Sequence, residues 1–309
     1  MTADEFRELG HRLVDRIAEH LQTLPARPVA RGEPPPDVRN ALGSGRNLPN
    51  EGVDAARALT EAADLLFDHS TFNGHPRFLA YITSSPAPIG MLGDFLAAAV
   101  NQNMGAWKLA PMATEIEAQT VRWIAELIGF PPGCGGLLVS GGNMANFVCF
   151  LAARAAKAGW DVRKTGFGND SPSLAVYASA EAHTWLQKAA DLFGLGTDAI
   201  RWIAVDDRLQ MVPSALRSRI ADDRSRGIHP FMVAATAGSV GTGAVDPLPE
   251  IAEICREFDL WFHVDGAYGA LAAQVPGAPD ALRGLSEADS VAVDPHKWLP
   301  GMHMLTDIH

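Results

Sequence analysis

The sequence predicts an α/β protein whose mostly parallel sheet is covered by helices on both faces. From Ala55 onward, short apolar runs alternate with helical patterns. Those runs are apolar throughout rather than at every second residue, the mark of strands buried on both sides. Most of them also open into glycine, hydroxyl, acid or lysine residues. Ligands of such sheets bind beyond the carboxyl ends of the strands, so the exits are where chemistry is expected.

The elements follow in order. Thr2 and Glu5 stand at capping-box spacing, and Phe6, Leu9, Leu13, Ile17 and Leu21 then recur at steps of three and four. This is an amphipathic helix. The next stretch, rich in Pro and Gly and carrying the triplet Pro34 to Pro36, reads as extended and without regular structure. Residues 1–54 therefore form a helical arm and extended segment with little core of their own. The arm packs either on a second subunit or back on its own chain. Residues 55–309 form the main domain. Helices are predicted over 55–67, 88–101 and 114–128, and then 143–157, 182–192, 213–222 and 248–258. Strands are predicted over 136–139, 174–178, 202–205, 231–235, 260–264 and 291–293.

Composition narrows the function. The chain has 309 residues, 25 Lys and Arg against 36 Asp and Glu, and a net charge of −11. That balance offers no electrostatic footprint for nucleic acid or a membrane surface. No apolar run reaches transmembrane length, and the first dozen residues lack a signal-peptide layout. Cys134, Cys149 and Cys255 are widely spaced, fit no zinc pattern and are odd in number. They read as reduced thiols of a cytoplasmic protein without a metal.

Five strand exits carry candidate chemistry. Ser140-Gly141-Gly142-Asn143 leads from a strand into a helix, either an anion site of backbone N–H groups or a simple turn. His183 stands where another helix begins, and Thr236 and Ser239 lie in a Gly-rich exit followed by Asp246, read as a helix cap. Asp265 ends an apolar strand before the small residues Gly266 and Ala267, with His263 on the same side of that strand. A buried carboxylate there either finds a partner in a ligand or caps the next turn. In "VDPHKWL", Lys297 follows the last strand. Desolvation at such an exit favours the neutral, nucleophilic amine that Schiff-base chemistry needs. Together these groups describe a ligand with an anionic end, a basic ring nitrogen and an aldehyde. Pyridoxal phosphate has all three, and it acts as an electron sink.

The motifs "HVDGAYGA" and "DPHKWL", with "GGNMANFVCFLAARAAKA", "EAHTW", "APMATEIE" and "HPRFLAYITSSP", resemble the pyridoxal-phosphate-dependent group II amino-acid decarboxylases. The resemblance covers essentially the whole chain, including the N-terminal arm. It implies the fold-type-I large domain with a mixed seven-stranded sheet, a small C-terminal domain, and a cytoplasmic homodimer with shared active sites. It implies that Lys297 is the Schiff-base lysine, Asp265 the partner of the ring nitrogen, and His183 the residue stacked on the ring. Catalysis thus falls to Lys297, His183 and Asp265. Gly142, Asn143, Thr236, Ala267 and His296 join them around the cofactor, and Tyr81, Thr83 and Trp107 lie on the substrate side. The implied reaction is decarboxylation of an L-amino acid to an amine and CO₂, which the histidine at 183 favours over aldehyde formation. Asn103 and Gly105 stand where aromatic-specific members tend to carry bulkier apolar residues, and overall similarity leans towards an aromatic substrate.

Beyond Lys297 the resemblance weakens. Family members continue into another strand, a mobile catalytic loop and the small domain, whereas "LPGMHMLTDIH" follows here. The expectation is a chain without that strand, that loop or the small domain, with an uncovered sheet edge, that keeps most cofactor contacts and catalyses poorly or not at all. Two other readings stand beside decarboxylation: aldehyde formation or elimination on the same cofactor, and a non-catalytic cofactor-binding fragment. A dinucleotide site fits less well, because "SGGN" lacks the spaced glycines of that fingerprint.

Overall fold

The structure, a computed structural model, describes residues 1–168, 171–299 and 305–308, the last four by the course of their backbone. It comprises two units, Met1–Pro86 and Ala87–His309.

The first unit holds α1 (Ala3–Thr23), α2 (Pro35–Leu42) and α3 (Ala55–His69). The capping box of α1 is formed: the Thr2 hydroxyl accepts from the Glu5 N–H at 3.2 Å, and the Glu5 carboxylate from the Thr2 N–H at 2.6 Å. The arm is tied to α3 by Arg16, which pairs with Asp64 at 2.5 Å, and by His20, stacked on Phe67 with centroids 4.5 Å apart. No residue of α1 is buried, so its apolar stripe stays partly uncovered within this unit. The expectation of an irregular Pro-rich segment fails at α2. Pro34 is its cap and Pro35 opens its first turn, where a missing N–H costs nothing. Gly43, at φ 66°, closes it in the left-handed conformation.

The second unit begins with α4 (Pro88–Val100) and α5 (Pro111–Ile128). It then alternates β1 (Gly136–Val139), α6 (Gly142–Lys157), α7 (Val162–Thr165), β2 (Leu174–Ser179), α8 (Trp185–Leu192) and β3 (Ile200–Ile203). There follow α9 (Pro213–Ser225), β4 (His229–Thr236), α10 (Leu248–Glu257), β5 (Trp261–Asp265), β6 (Ser290–Val293) and β7 (Leu305–Ile308). The seven strands form one sheet in the order β1-β7-β6-β5-β4-β2-β3. Five of them run parallel, from β6 through β3, while β7 is antiparallel to both β1 and β6.

The sheet has a core on each face. Tyr177, Val233, Phe262 and Val264 meet α5, α9 and α10 on one side. Val176, Met232 and Ala234 meet α6 and α8 on the other. The period of two along each strand sends alternate side chains to the two cores, which is why the runs read as wholly apolar.

Two expectations are corrected here. The strand after the lysine loop is present: β7 bridges β1 and β6, pairing Leu137 with Asp307 and Ala292 with Asp307. The slot is filled by backbone hydrogen bonds, which any residue except proline can supply. Residues 300–304, where the preceding turn was sought, lie outside the described residues. The third strand begins two residues earlier than the predicted 202–205, because Arg201 interrupts the apolar run. Its guanidinium pairs at 2.8 Å with the fully buried Asp223, which also accepts from the Tyr177 hydroxyl at 2.8 Å. A charge paired in this way is compatible with a strand.

Candidate active site

The ends of β4, β5 and β6 and the start of α6 enclose a pocket of about 360 Å³, a volume suited to a small ligand. Three segments furnish it. Beyond β1, Gly141 takes φ 107° and ψ 147°, a conformation that side-chain-bearing residues rarely adopt. The turn starts α6 at the pocket wall, where Gly142 and Asn143 are lining residues. Their N–H groups are the first of the helix and have no intrahelical acceptor, so they offer donors to an anion.

The second segment is β5. Asp265 is buried at its end, beside Thr236 across the ladder, and accepts a hydrogen bond from the Ala267 N–H at 3.2 Å. Gly266 is required by close packing: a Cβ there would sit 2.6 Å from that of Ala270. Thr236 is held by Asp246, whose carboxylate accepts from the N–H groups of Thr236 at 2.8 Å and Met211 at 2.7 Å. Asp246 is therefore not the cap expected of it. It pins the exit of β4, and burial pushes its carboxyl up to about 6.

The third segment follows β6. A single turn over Pro295–Lys297 brings the Lys297 Nζ to 3.4 Å from one Asp294 oxygen and the His296 Nε2 to 3.0 Å from the other. Asp294 is buried, which raises its pKa, and the neighbouring Lys297 and His296 pull it back. The sequence pointed to a desolvated, unpartnered lysine. Lys297 instead has a carboxylate beside it and keeps 20% of its side chain exposed.

Gly142, Asn143, His183, Thr236, Asp265, Ala267 and Lys297 thus line one pocket. His183 is exposed at its edge, one residue before the turn that starts α8. His296 lies behind Asp294 rather than on the wall. Trp107 is exposed, donates its indole N–H to Glu115 at 2.9 Å, and is not on this wall. Tyr81, exposed at φ 61°, and the half-buried Thr83 belong to the first unit. Asn146 and Asp294 line the pocket without having been singled out. Asn146 had a signal, as a polar residue among the buried Ala145, Phe147, Cys149 and Phe150 of α6. Asp294 had one too, three residues before the lysine.

The fold is an α/β protein whose doubly covered, mixed sheet brings a lysine, a carboxylate and a helix start to one pocket. Residues 43–307 match the pyridoxal-dependent decarboxylase conserved domain, and the chain belongs to that family. It is 36% identical over 299 residues to an aromatic-L-amino-acid decarboxylase of Bacillus atrophaeus, covering 97% of this chain and 60% of that protein. Among solved structures, mouse CSAD aligns with a TM-score of 0.92 at 27% identity, over 100% of this chain and 64% of that one. Oryza sativa TDC with PLP and tryptamine aligns with a TM-score of 0.89 at 27% identity, over 100% and 67%. The chain thus spans about 60% of the length of that curated relative.

The pocket's donor set fits the family's cofactor, pyridoxal phosphate. It offers an amine for the aldehyde, a buried carboxylate for the ring nitrogen and helix-start N–H groups for the phosphate. Among the described residues no helix is long and apolar enough to cross a membrane.

Proposed function

We propose that this chain holds pyridoxal phosphate through Lys297 and forms the cofactor-binding part of an L-amino-acid decarboxylase that acts on an aromatic substrate. One observation carries the reading: Lys297, Asp265 and the start of α6 line the same pocket. The cofactor, when bound, supplies a conjugated cationic ring that accepts the electron pair left by departing CO₂.

The chain's own residues do the rest. Lys297 presents the amine that condenses with the aldehyde, and Asp294, 3.4 Å away, can take up the proton that the ammonium must lose. Asp265 holds a proton at the ring nitrogen, its carboxylate kept in place by the Ala267 N–H. Gly142 and Asn143 bind the phosphate through the backbone, Thr236 and Ala267 bound the ring, and His183 covers its face. His296 acts through Asp294. We assign Tyr81, Thr83 and Trp107 to the substrate side on the strength of the "HPRFLAYITSSP" resemblance and the family tryptophan. The aromatic preference rests on relatives named for aromatic substrates. A homodimer is part of the same proposal, supported by the uncovered stripe of α1 and the exposed apolar face of α4; a cytoplasmic location is proposed from the three widely spaced cysteines.

The test is a visible spectrum of the purified chain with pyridoxal phosphate, followed by borohydride reduction and peptide mapping. A yellow species trapped on Lys297, and lost in Lys297→Ala, is the expected result. A folded protein without that adduct overturns the reading. Assaying the same protein for CO₂ release and for amine against aldehyde product tests both the reaction and the expectation of poor catalysis.

A further inference from the structure

Two residues before Asp265, the same strand carries a histidine that the proposed chemistry does not use. His263 is fully buried, and both ring nitrogens are engaged: Nδ1 lies 2.9 Å from the Ser290 hydroxyl and Nε2 lies 2.8 Å from the Asn146 Oδ1. The Asn146 amide nitrogen in turn donates to the Gly142 carbonyl at 2.8 Å, and the Trp261 indole N–H donates to the Ser290 oxygen at 2.8 Å.

Donors and acceptors can be assigned along the whole run. Asn146 uses its nitrogen towards Gly142, so its oxygen faces the imidazole and must accept. Nε2 therefore carries the proton, Nδ1 is the acceptor, and the Ser290 hydroxyl donates to it. Each group gives one hydrogen bond to the next, from Trp261 to Gly142, with the ring neutral.

This arrangement has a consequence for the pocket. Gly142 opens α6, and its neighbour Asn143 shares the wall. The imidazole fixes the Asn146 amide, and the amide clamps the first turn of the helix. Strand β5 would then set both ends of one ligand, the ring nitrogen through Asp265 and the phosphate through His263. We propose that His263 and Asn146 are positioning residues that hold the start of α6 in its phosphate-binding geometry. This rests on the cofactor reading above.

His263 does not line the pocket, so His263→Phe keeps a ring in place while cutting the link. The measurement compares dissociation constants for pyridoxal phosphate and for pyridoxal, which has the same ring and aldehyde but no phosphate. Loss of one oriented hydrogen bond is expected to weaken the phosphate form by roughly tenfold, leaving pyridoxal within about twofold. His263→Gln, whose amide can still donate to Asn146, is expected to recover most of the loss. Equal weakening of both ligands, or no change in either, overturns the proposal, since a general packing defect does not discriminate between them.

If the Phe variant does not fold, the wild-type protein decides. With ¹⁵N-labelled histidine, inorganic phosphate should shift the His263 Nε2–H resonance, and an unmoved resonance at saturating phosphate overturns the proposal. Failure of the wild-type chain to trap pyridoxal phosphate on Lys297 would refute the parent reading. A normal adduct with an unchanged affinity ratio would refute only this one.

Discussion

His263 shows how a single buried group ties the fold to pH. Its imidazole is fully buried, and loss of solvation pushes its pKa down to about 3 from an ordinary 6.5. Between those values the unfolded chain binds the proton and the folded chain does not. The contribution of His263 is therefore complete above pH 6.5 and is lost as pH falls towards 3, at about 1.4 kcal/mol per pH unit. Asp246 pulls the other way. Its carboxyl is raised to about 6, so the folded form keeps a proton that the unfolded form releases, and stability declines as pH rises from about 4 to 6. Because the two slopes oppose each other, the total profile is not diagnostic, but a difference is. Urea unfolding at pH 7.5, 6 and 5 should show the gap between wild type and His263→Phe narrowing towards acid. A gap that is constant across this range would mean that His263 takes up its proton equally in the folded and the unfolded chain, and so that burial does not lower its pKa. The sequence put His263 and Asp265 on one side of their strand, which the alternation alone dictates. It did not reveal Asn146 as the partner, because that contact spans 117 positions in the chain.

Among the elements, the 3₁₀ segment Asp280–Glu287 and α10 show where packing leaves no room. A Cβ on Gly284 would lie 2.5 Å from the backbone of Leu248 and Pro249, at the start of α10, where no flexible side chain can yield. Gly284→Ala must therefore push the segment off the helix that covers β4 and β5. We expect a loss of about 1–3 kcal/mol, read as a lower urea midpoint. Full stability in that variant would show that the two elements separate readily. Gly133, with open space around its would-be Cβ, is a natural control. The contrast also explains what was legible. Strands and helices of the second unit could be read because each carries its own period and its own punctuation. Short elements defined by their neighbours could not. α2 hides behind prolines that its first turn tolerates, and β7 has only four residues, whose pairing is decided by β1 and β6. Asp246 followed the pattern of a helix cap, yet Pro247 takes the cap position and the carboxylate turns back to Met211 and Thr236.

At the scale of the whole molecule, α4 presents the largest unresolved balance. It is the most apolar helix in the chain, and none of its residues is buried. Ile89, Leu92, Phe95, Leu96 and Val100 are all exposed, and Met112, Ile116 and Trp123 of α5 extend the apolar surface along the sequence. Isolated soluble domains rarely leave so many large apolar side chains in water, since each costs about 1.5–3 kcal/mol relative to burial. A closed two-fold dimer covers such a surface with a copy of itself and leaves no open end for further growth. We therefore expect the purified chain to sediment as a dimer at micromolar concentration. Leu92→Glu combined with Leu96→Glu should shift it to monomer, because two carboxylates buried without partners outweigh the apolar gain. Both positions are exposed in the isolated chain, so the monomer should keep its far-ultraviolet spectrum. Its affinity for pyridoxal phosphate then discriminates between two designs. An unchanged affinity would mean that the pocket described here is sufficient for cofactor binding. A sharp loss would mean that a second copy completes the site, and it would move the search for the substrate-side residues to the partner's surface. A wild-type chain that sediments as a monomer would leave α4 to be covered by something other than a second copy, and would remove the dimer from the proposed function.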